Sequence, residues 1–215
     1  GGIVGVGVVS LANVPYLVLG LLVSRILDMG GAAIPMVCLE PLMAALAIAI
    51  KRDSKGPFFF RQERVGLHGR AFMLVKFRSM CLDAEDQLEC LRDDNEINGH
   101  AFKLNNDPRT TEVGRFLRRS SLDELPQLWN VLRGQMSLVG PRPPLPNEVV
   151  NYDTWHRRRL SMKPGITGLW QGGSRQSPDF EHRGEQELDQ NADRSAWLAG
   201  KTVRRNVPSV REGRV

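Results

Sequence analysis

The sequence predicts an α+β protein, mainly helical, in which an N-terminal apolar helix broken at a proline precedes a small β-hairpin and amphipathic helices. Three observations predict this. From Met29 to Ile50 the only charged residue is Glu40, and Pro41 lies near the middle of the run. Two apolar runs, Phe58-Phe59-Phe60 and Phe72-Met73-Leu74-Val75, flank the turn-prone Gly66-Leu67-His68-Gly69. Between Thr110 and Leu132 apolar residues recur at helical spacing among arginines.

Composition sets the outer limits. The 215 residues allow one domain of ordinary size plus an appendage. Apolar content of 41% supports a core, and 13 prolines with 21 glycines indicate a loop-rich chain. The net charge of +5 suits nucleic acid, anionic headgroups or phosphorylated substrates without choosing among them. The odd count of Cys38, Cys81 and Cys90, with no Cys-x-x-Cys pair, points to a reducing compartment and away from disulfides or zinc. His68, His100, His156 and His182 form no ligand pair at helical spacing. Gly5-Val6-Gly7 lacks a third glycine where Ser10 stands, so a dinucleotide loop is rejected.

Along the chain, residues 1 to 21 read as a strand and linker punctuated by Pro15, the end of a preceding region. The Gly-Gly start has no signal-peptide character and reads as a cut piece of something longer or an artificial end. Residues 22 to 50 are the apolar segment. As a helix, Met29 to Ile50 would extend roughly 33 Å, about a hydrocarbon core. Both flanks are basic, with Arg25 before and Lys51 and Arg52 after. Cations at both ends and a proline at the centre fit a hairpin that enters a membrane and returns to the same face. A buried helix pair in a soluble protein is the competing reading. Residues 51 to 215 form the remaining domain. Within it a hairpin is expected over Pro57 to Phe77, a polar helix and loop over 81 to 99, and an amphipathic helix over Thr110 to Arg119. That helix would place Val113, Phe116 and Leu117 on one face. Leu125, Leu128, Trp129 and Leu132 mark a second helix. Residues 133 to 148 read as proline-rich loop, 148 to 160 as helix-like, and 174 onward as weakly patterned tail.

The chemistry concentrates in Ser121-Leu122-Asp123-Glu124-Leu125-Pro126-Gln127. Two adjacent carboxylates stand where a helix is expected to begin. An ionised aspartate can coordinate magnesium or attack phosphorus. Ser121-x-x-Glu124 also fits a capping box, in which Glu124 serves only the backbone. Arginine forks match phosphate oxygens. Candidate phosphate and substrate contacts are Lys76, Arg78, Arg118, Arg119, Gln127, Arg142 and Arg175, with Arg142 stiffened by neighbouring prolines. This reading expects Asp123 to be an open anion beside those arginines.

Several blocks together resemble one family. They are Arg25-Ile26-Leu27-Asp28, Pro41, Lys51 to Pro57, Arg61 to Gly66, Lys76 to Met80, Asn106 to Arg109, Gly114 to Leu132, Met136 to Pro143, and Lys163 to Gln171. In this order and spacing they are similar to the bacterial sugar transferases, monotopic polyprenol-phosphate phosphoglycosyl transferases that initiate exopolysaccharide, capsule and O-antigen synthesis. The resemblance implies an enzyme that transfers a sugar-1-phosphate from a UDP-sugar to undecaprenyl phosphate and releases UMP. It implies Asp123 as a nucleophile that forms a covalent phosphosugar intermediate, with Asp123 and Glu124 as Mg2+ ligands. Arg142 and Arg175 match basic phosphate positions, and Pro41 falls at the membrane break. It also implies a catalytic domain on the cytoplasmic face of the bacterial inner membrane, in contact with membrane lipid. Homo-oligomerisation is left open.

The chain departs from the family pattern in places. Glu40 replaces the usual Ser before the break, and Gly172-Gly173-Ser174-Arg175 replaces Val-Ser-Gly-Arg. A C-terminal block over about 184 to 200 has diverged. A catalytically impaired relative acting as a membrane scaffold in polysaccharide assembly is therefore the alternative. No nucleic-acid-binding pattern is present.

Overall fold

The computed structural model describes residues 14–84, 86–87, 107–150 and 152–168. Arg175, the divergent block over 184 to 200, the tail from 174, and most of the helix expected over 81 to 99 lie outside the described residues.

Two helices come first. Helix α1 spans Val14–Cys38 and α2 spans Glu40–Asp53. Residues 1 to 13 lie outside the described residues, and from Val14 onward the stretch expected to be strand and linker is helix. Leu39 separates the two helices. Its amide donates to the Pro35 carbonyl at 2.8 Å, and its carbonyl accepts from Met43 at 2.8 Å. Pro41 sits in the first turn of α2. Leu19–Cys38 is long and apolar enough to cross a membrane, with a mean hydropathy of 1.5, and most of it is uncovered.

The hairpin forms as expected. Strands β1 (Phe59–Val65) and β2 (Ala71–Phe77) pair antiparallel in a register that sets Phe60 opposite Lys76, Gln62 opposite Leu74 and Arg64 opposite Phe72. These residues share one face, since side chains alternate along each strand. His68 adopts a left-handed conformation in the turn between them, at φ 56°.

Helix α3 (Glu112–Ser120) is capped by the Thr111 hydroxyl, which accepts from the Gly114 amide at 3.0 Å. Position 114 requires glycine, because a Cβ there would lie 2.0 Å from the Ser79 carbonyl oxygen. Leu117 is fully buried, but Phe116 is 58% exposed. The expected common face is therefore split: the packed stripe is narrow, and Phe116 falls outside it. A 3₁₀ turn over Leu122–Glu124 leads into α4 (Gln127–Leu132).

The stretch expected to be only loop contains strand β3 (Ser137–Val139) and the start of helix α5 (Pro146–Val150). Helix α6 (Thr154–Arg157) and a 3₁₀ turn follow, and β4 (Gly165–Thr167) pairs parallel with β3. Gly140 and Gly165 permit this close pairing: a Cβ on Gly165 would meet the Gly140 nitrogen at 2.0 Å.

Two apolar clusters flank β2. One joins Ala32 of α1, Phe72 and Leu74 of β2, Leu128 and Val131 of α4, and Met136. The other joins Leu46 and Ile50 of α2, Phe77 of β2 and Leu117 of α3. Polar anchors complement them. Arg25, expected only as a flanking cation, donates to the Val131 and Leu132 carbonyls at 2.7 Å each and so caps α4. Asp28 accepts from the Ser137 hydroxyl at 2.8 Å and the Leu138 amide at 2.9 Å. Asn130, 1% exposed, accepts from the Val75 amide at 3.2 Å and donates to the Met73 carbonyl at 2.8 Å. Its carboxamide thus mimics an adjoining strand and fixes α4 to β2.

Replacing that carboxamide leaves buried backbone groups unpaired. Asn130→Ala is expected to destabilise the fold by about 2–4 kcal/mol. Urea denaturation checks this, and a loss below about 1 kcal/mol contradicts the strand-mimic role.

Candidate active site

The chain reverses at Ser121. This residue ends α3 in a left-handed conformation, φ 55° and ψ 19°, and its amide donates to the Arg118 carbonyl at 3.3 Å. A serine in that region is uncommon. Ser121 makes no side-chain cap, so the capping box is not formed, and the helix expected here starts only at Gln127. Leu122 packs on the cluster around Phe77, and Leu125 packs on both clusters. The intervening turn is pinned by these two leucines, and Asp123 is drawn inward.

Asp123 is 8% exposed, not the open anion expected. Burial raises its pKa above the ordinary carboxylate value; Lys76, Arg118 and a backbone hydrogen bond partly oppose the rise. Two of the expected cations therefore act on its charge. Lys76 has a lowered pKa, chiefly from burial and then, in the same direction, from Arg118 and Arg64. Asp123 and Glu124 favour its charged form. Lys76 also lies over the Phe60 ring at 5.6 Å, as the hairpin register requires. Arg118 is oriented by the Ser79 hydroxyl at 3.0 Å and the Thr110 hydroxyl at 3.4 Å.

Beside this group opens a cleft of about 240 Å³, lined by Arg64, Lys76, Glu124, Gln127, Arg142 and the β4 backbone, among others. The loop bearing Arg142 is tied down on both sides. The Gly165 amide donates to the Pro141 carbonyl at 2.9 Å, and the Val65 amide to the Pro144 carbonyl at 2.9 Å. Arg142 is exposed on this fixed loop. Three cations thus surround a cavity in which Glu124 is the one lining carboxylate among the described residues. Such a site suits a phosphate-bearing ligand.

Of the residues expected in the site, Lys76, Glu124, Gln127 and Arg142 line the cleft. Asp123 and Arg118 do not line it, but both act electrostatically on Lys76. Arg78 does not join them. It is buried and donates to the Lys55 carbonyl at 2.6 Å and the Ser54 carbonyl at 2.9 Å, closing the end of α2. Arg119 is exposed on α3 and does not line the cleft. Arg175 lies outside the described residues. Arg64 was missed, although strand alternation sets it on the face shared with Lys76. Among the described residues no group of three or more His, Cys, Asp or Glu side chains clusters for a metal. Glu124 is the carboxylate that lines the cleft, and magnesium takes one or two carboxylates and completes its shell with phosphate oxygens and water.

The raised Asp123 pKa has a consequence for stability. The folded chain holds this proton more tightly than the unfolded chain, so the group's contribution declines as pH rises from the unfolded pKa through the raised folded one. Asp123→Asn is therefore expected to melt at a higher temperature than the parent at pH 7, with the gap closing below about pH 4. Circular dichroism melts at several pH values check this. A lower melting temperature for the variant at pH 7 contradicts it.

Comparison with known proteins bears on this geometry. A family model described as bacterial sugar transferase matches residues 19–213. The galactosyl transferase CpsE of Streptococcus agalactiae is 48% identical over 162 residues, covering 75% of this chain and 36% of that protein. The undecaprenyl-phosphate galactose phosphotransferase of Salmonella typhimurium is 44% identical over 163 residues, covering 74% of this chain and 34% of that protein. The UDP-glucose:undecaprenyl-phosphate glucose-1-phosphate transferase of Escherichia coli is 36% identical over 211 residues, covering 93% of this chain and 42% of that protein. The chain spans well under half the length of these relatives. A match along nearly the whole chain, together with that level of identity, makes this chain a member of the bacterial sugar transferase family.

Proposed function

We propose that the chain is a phosphoglycosyl transferase that moves a sugar-1-phosphate from a UDP-sugar to undecaprenyl phosphate and releases UMP. The observation that supports it most is a cleft lined by Lys76, Glu124 and Arg142, in which Lys76 is coupled electrostatically to Asp123. The names of the relatives favour the same acceptor.

In the proposed first step an Asp123 carboxylate oxygen attacks the phosphorus bonded to the sugar. The bond from that phosphorus to the oxygen bridging to UMP breaks, and UMP leaves with the electron pair. In the second step an oxygen of undecaprenyl phosphate attacks the same phosphorus. The bond to Asp123 breaks and the carboxylate is restored. The covalent intermediate divides a two-substrate reaction into two displacements, so donor and acceptor need not bind together. Lys76 and Arg118 favour the ionised form of Asp123 and so offset part of the effect of burial. Arg142 takes charge on the donor's phosphates, and Gln127 contacts substrate. The small exposure of Asp123 limits water access, which protects an acyl phosphate from hydrolysis. Magnesium, held by Glu124 with Asp123, would neutralise diphosphate charge during departure of UMP.

The membrane arrangement belongs to the same proposal. The interruption at Leu39, with Pro41 in the next turn, suits a hairpin that re-enters the cytoplasmic leaflet of the inner membrane. The exposed apolar side of α1, together with Phe116 and Trp129 (43% exposed), would face lipid. Arg133 lies 5.0 Å from the Trp129 ring centre, a pairing suited to the headgroup level.

The test is UMP release from purified protein given undecaprenyl phosphate, magnesium and a panel of UDP-sugars. At least one donor is expected to support turnover, and Asp123→Asn to lower it by roughly 10³-fold or more. No UMP above the Asp123→Asn background with any donor overturns the proposal and favours the scaffold reading that the diverged C-terminal block suggests.

A further inference from the structure

Arg64 has a combination of features that the fold alone does not require. It is 7% exposed, on the face of β1 that shares the cleft with Lys76. One terminal nitrogen donates to the Pro143 carbonyl at 3.0 Å, and the other to the Gln62 side-chain oxygen at 2.6 Å. Its Nε is buried and makes no hydrogen bond. No carboxylate among the described residues forms an ion pair with it. The charged groups that act on it are Arg142, which disfavours its charge, and Glu148, which favours it. Burial and Arg142 together push its pKa down to about 10.

A buried cation whose strongest charged neighbour is another cation is an unfavourable arrangement in the empty protein. It becomes favourable when an anion enters between the two. The cleft bordered by both guanidiniums is where such an anion would sit. The Pro143 carbonyl that Arg64 holds lies next to Arg142 in sequence, so the same bond also sets the spacing of the pair. Arg61 and Glu63, on the opposite face of the strand, are exposed and do not line the cleft.

We propose that Arg64 is a substrate-binding residue: with Arg142 it clasps one phosphoryl group of a nucleoside diphosphate. This rests on the reading of the cleft as a nucleotide-sugar site, and it assigns the grip to two guanidiniums from different elements. One comes from the hairpin floor and the other from the proline-bound loop. A phosphoryl group between two planar forks is held by directed hydrogen bonds as well as by charge. Lysine at position 64 therefore preserves charge without preserving the grip.

The test is calorimetric binding of UDP to the full chain in lipid nanodiscs, together with thermal melting in the absence of ligand. The variants are Arg64→Met, Arg64→Lys and Arg61→Met, the last removing the same charge from the other face of the strand. Arg64→Met is expected to weaken UDP binding about tenfold or more and Arg61→Met by less than about twofold. Arg64→Lys falls between them. UDP affinity that is unchanged in Arg64→Met, or reduced no more than in Arg61→Met, overturns the proposal. A lower ligand-free melting temperature with unchanged affinity is the mark of a purely structural arginine and overturns it equally. If Arg64→Met does not fold, Arg64→Lys decides: a loss of about threefold or more supports the clasp, and parental affinity overturns it. Failure of the parent chain to bind UDP removes the nucleotide-sugar reading itself. Binding by the parent that is insensitive to position 64 removes only the role given to Arg64.

Discussion

A carboxylate that burial pushes toward its neutral form is held among cations, and much of the described structure serves that one constraint. Asp123 reaches its position because Ser121 takes a left-handed turn and two flanking leucines drop into the apolar clusters. Lys76 arrives from a strand whose register is set by the hairpin, and Arg118 from a helix that packs tightly at Gly114. Asn130 fixes the strand that carries Lys76 to the helix that follows Asp123. The elements that bring charge together thus owe their places to apolar packing and backbone pairing. That is the economical arrangement, because ionic contacts alone rarely repay the cost of removing charges from water.

The apolar helix is not a detached anchor. Arg25 caps α4 and Asp28 binds the start of β3, so two charged residues of α1 are satisfied by the same body that carries the candidate site. Ala32 lies in the core cluster, and the lack of a side chain at Gly31 accommodates Leu138. The proposed step between a water-soluble donor and a lipid acceptor would require a fixed height above the hydrocarbon. A helix joined to the same body by buried polar bonds would supply that height more firmly than a flexible linker.

Much of this was legible in the sequence, and the exceptions have physical causes. The hairpin was clear because two aromatic-rich runs flank a glycine turn. The carboxylate pair and several of its cations were clear because they cluster in the chain or match a family pattern. The β3–β4 pair was not, since strands of three residues far apart in sequence leave no periodic signal, and prolines around them suggest loop. Arg78 was placed in the site on charge alone, but its fork serves the carbonyls at the end of α2. Arg64 was overlooked for the opposite reason. Within Arg61-Gln62-Glu63-Arg64 nothing marks one arginine as buried until strand alternation and the proline-rich loop are seen together. The depth of Asp123 was missed because the sequence suggests a helix start at Ser121, where the chain instead turns sharply inward.

The proposed chemistry requires that Asp123 become esterified. Intact-protein mass spectrometry of the chain incubated with a competent UDP-sugar, without lipid acceptor, measures this directly. The account predicts a mass gain equal to one sugar phosphate, located on the peptide that contains Asp123 and discharged on addition of undecaprenyl phosphate. Turnover without any such adduct, or an adduct on another residue, contradicts it.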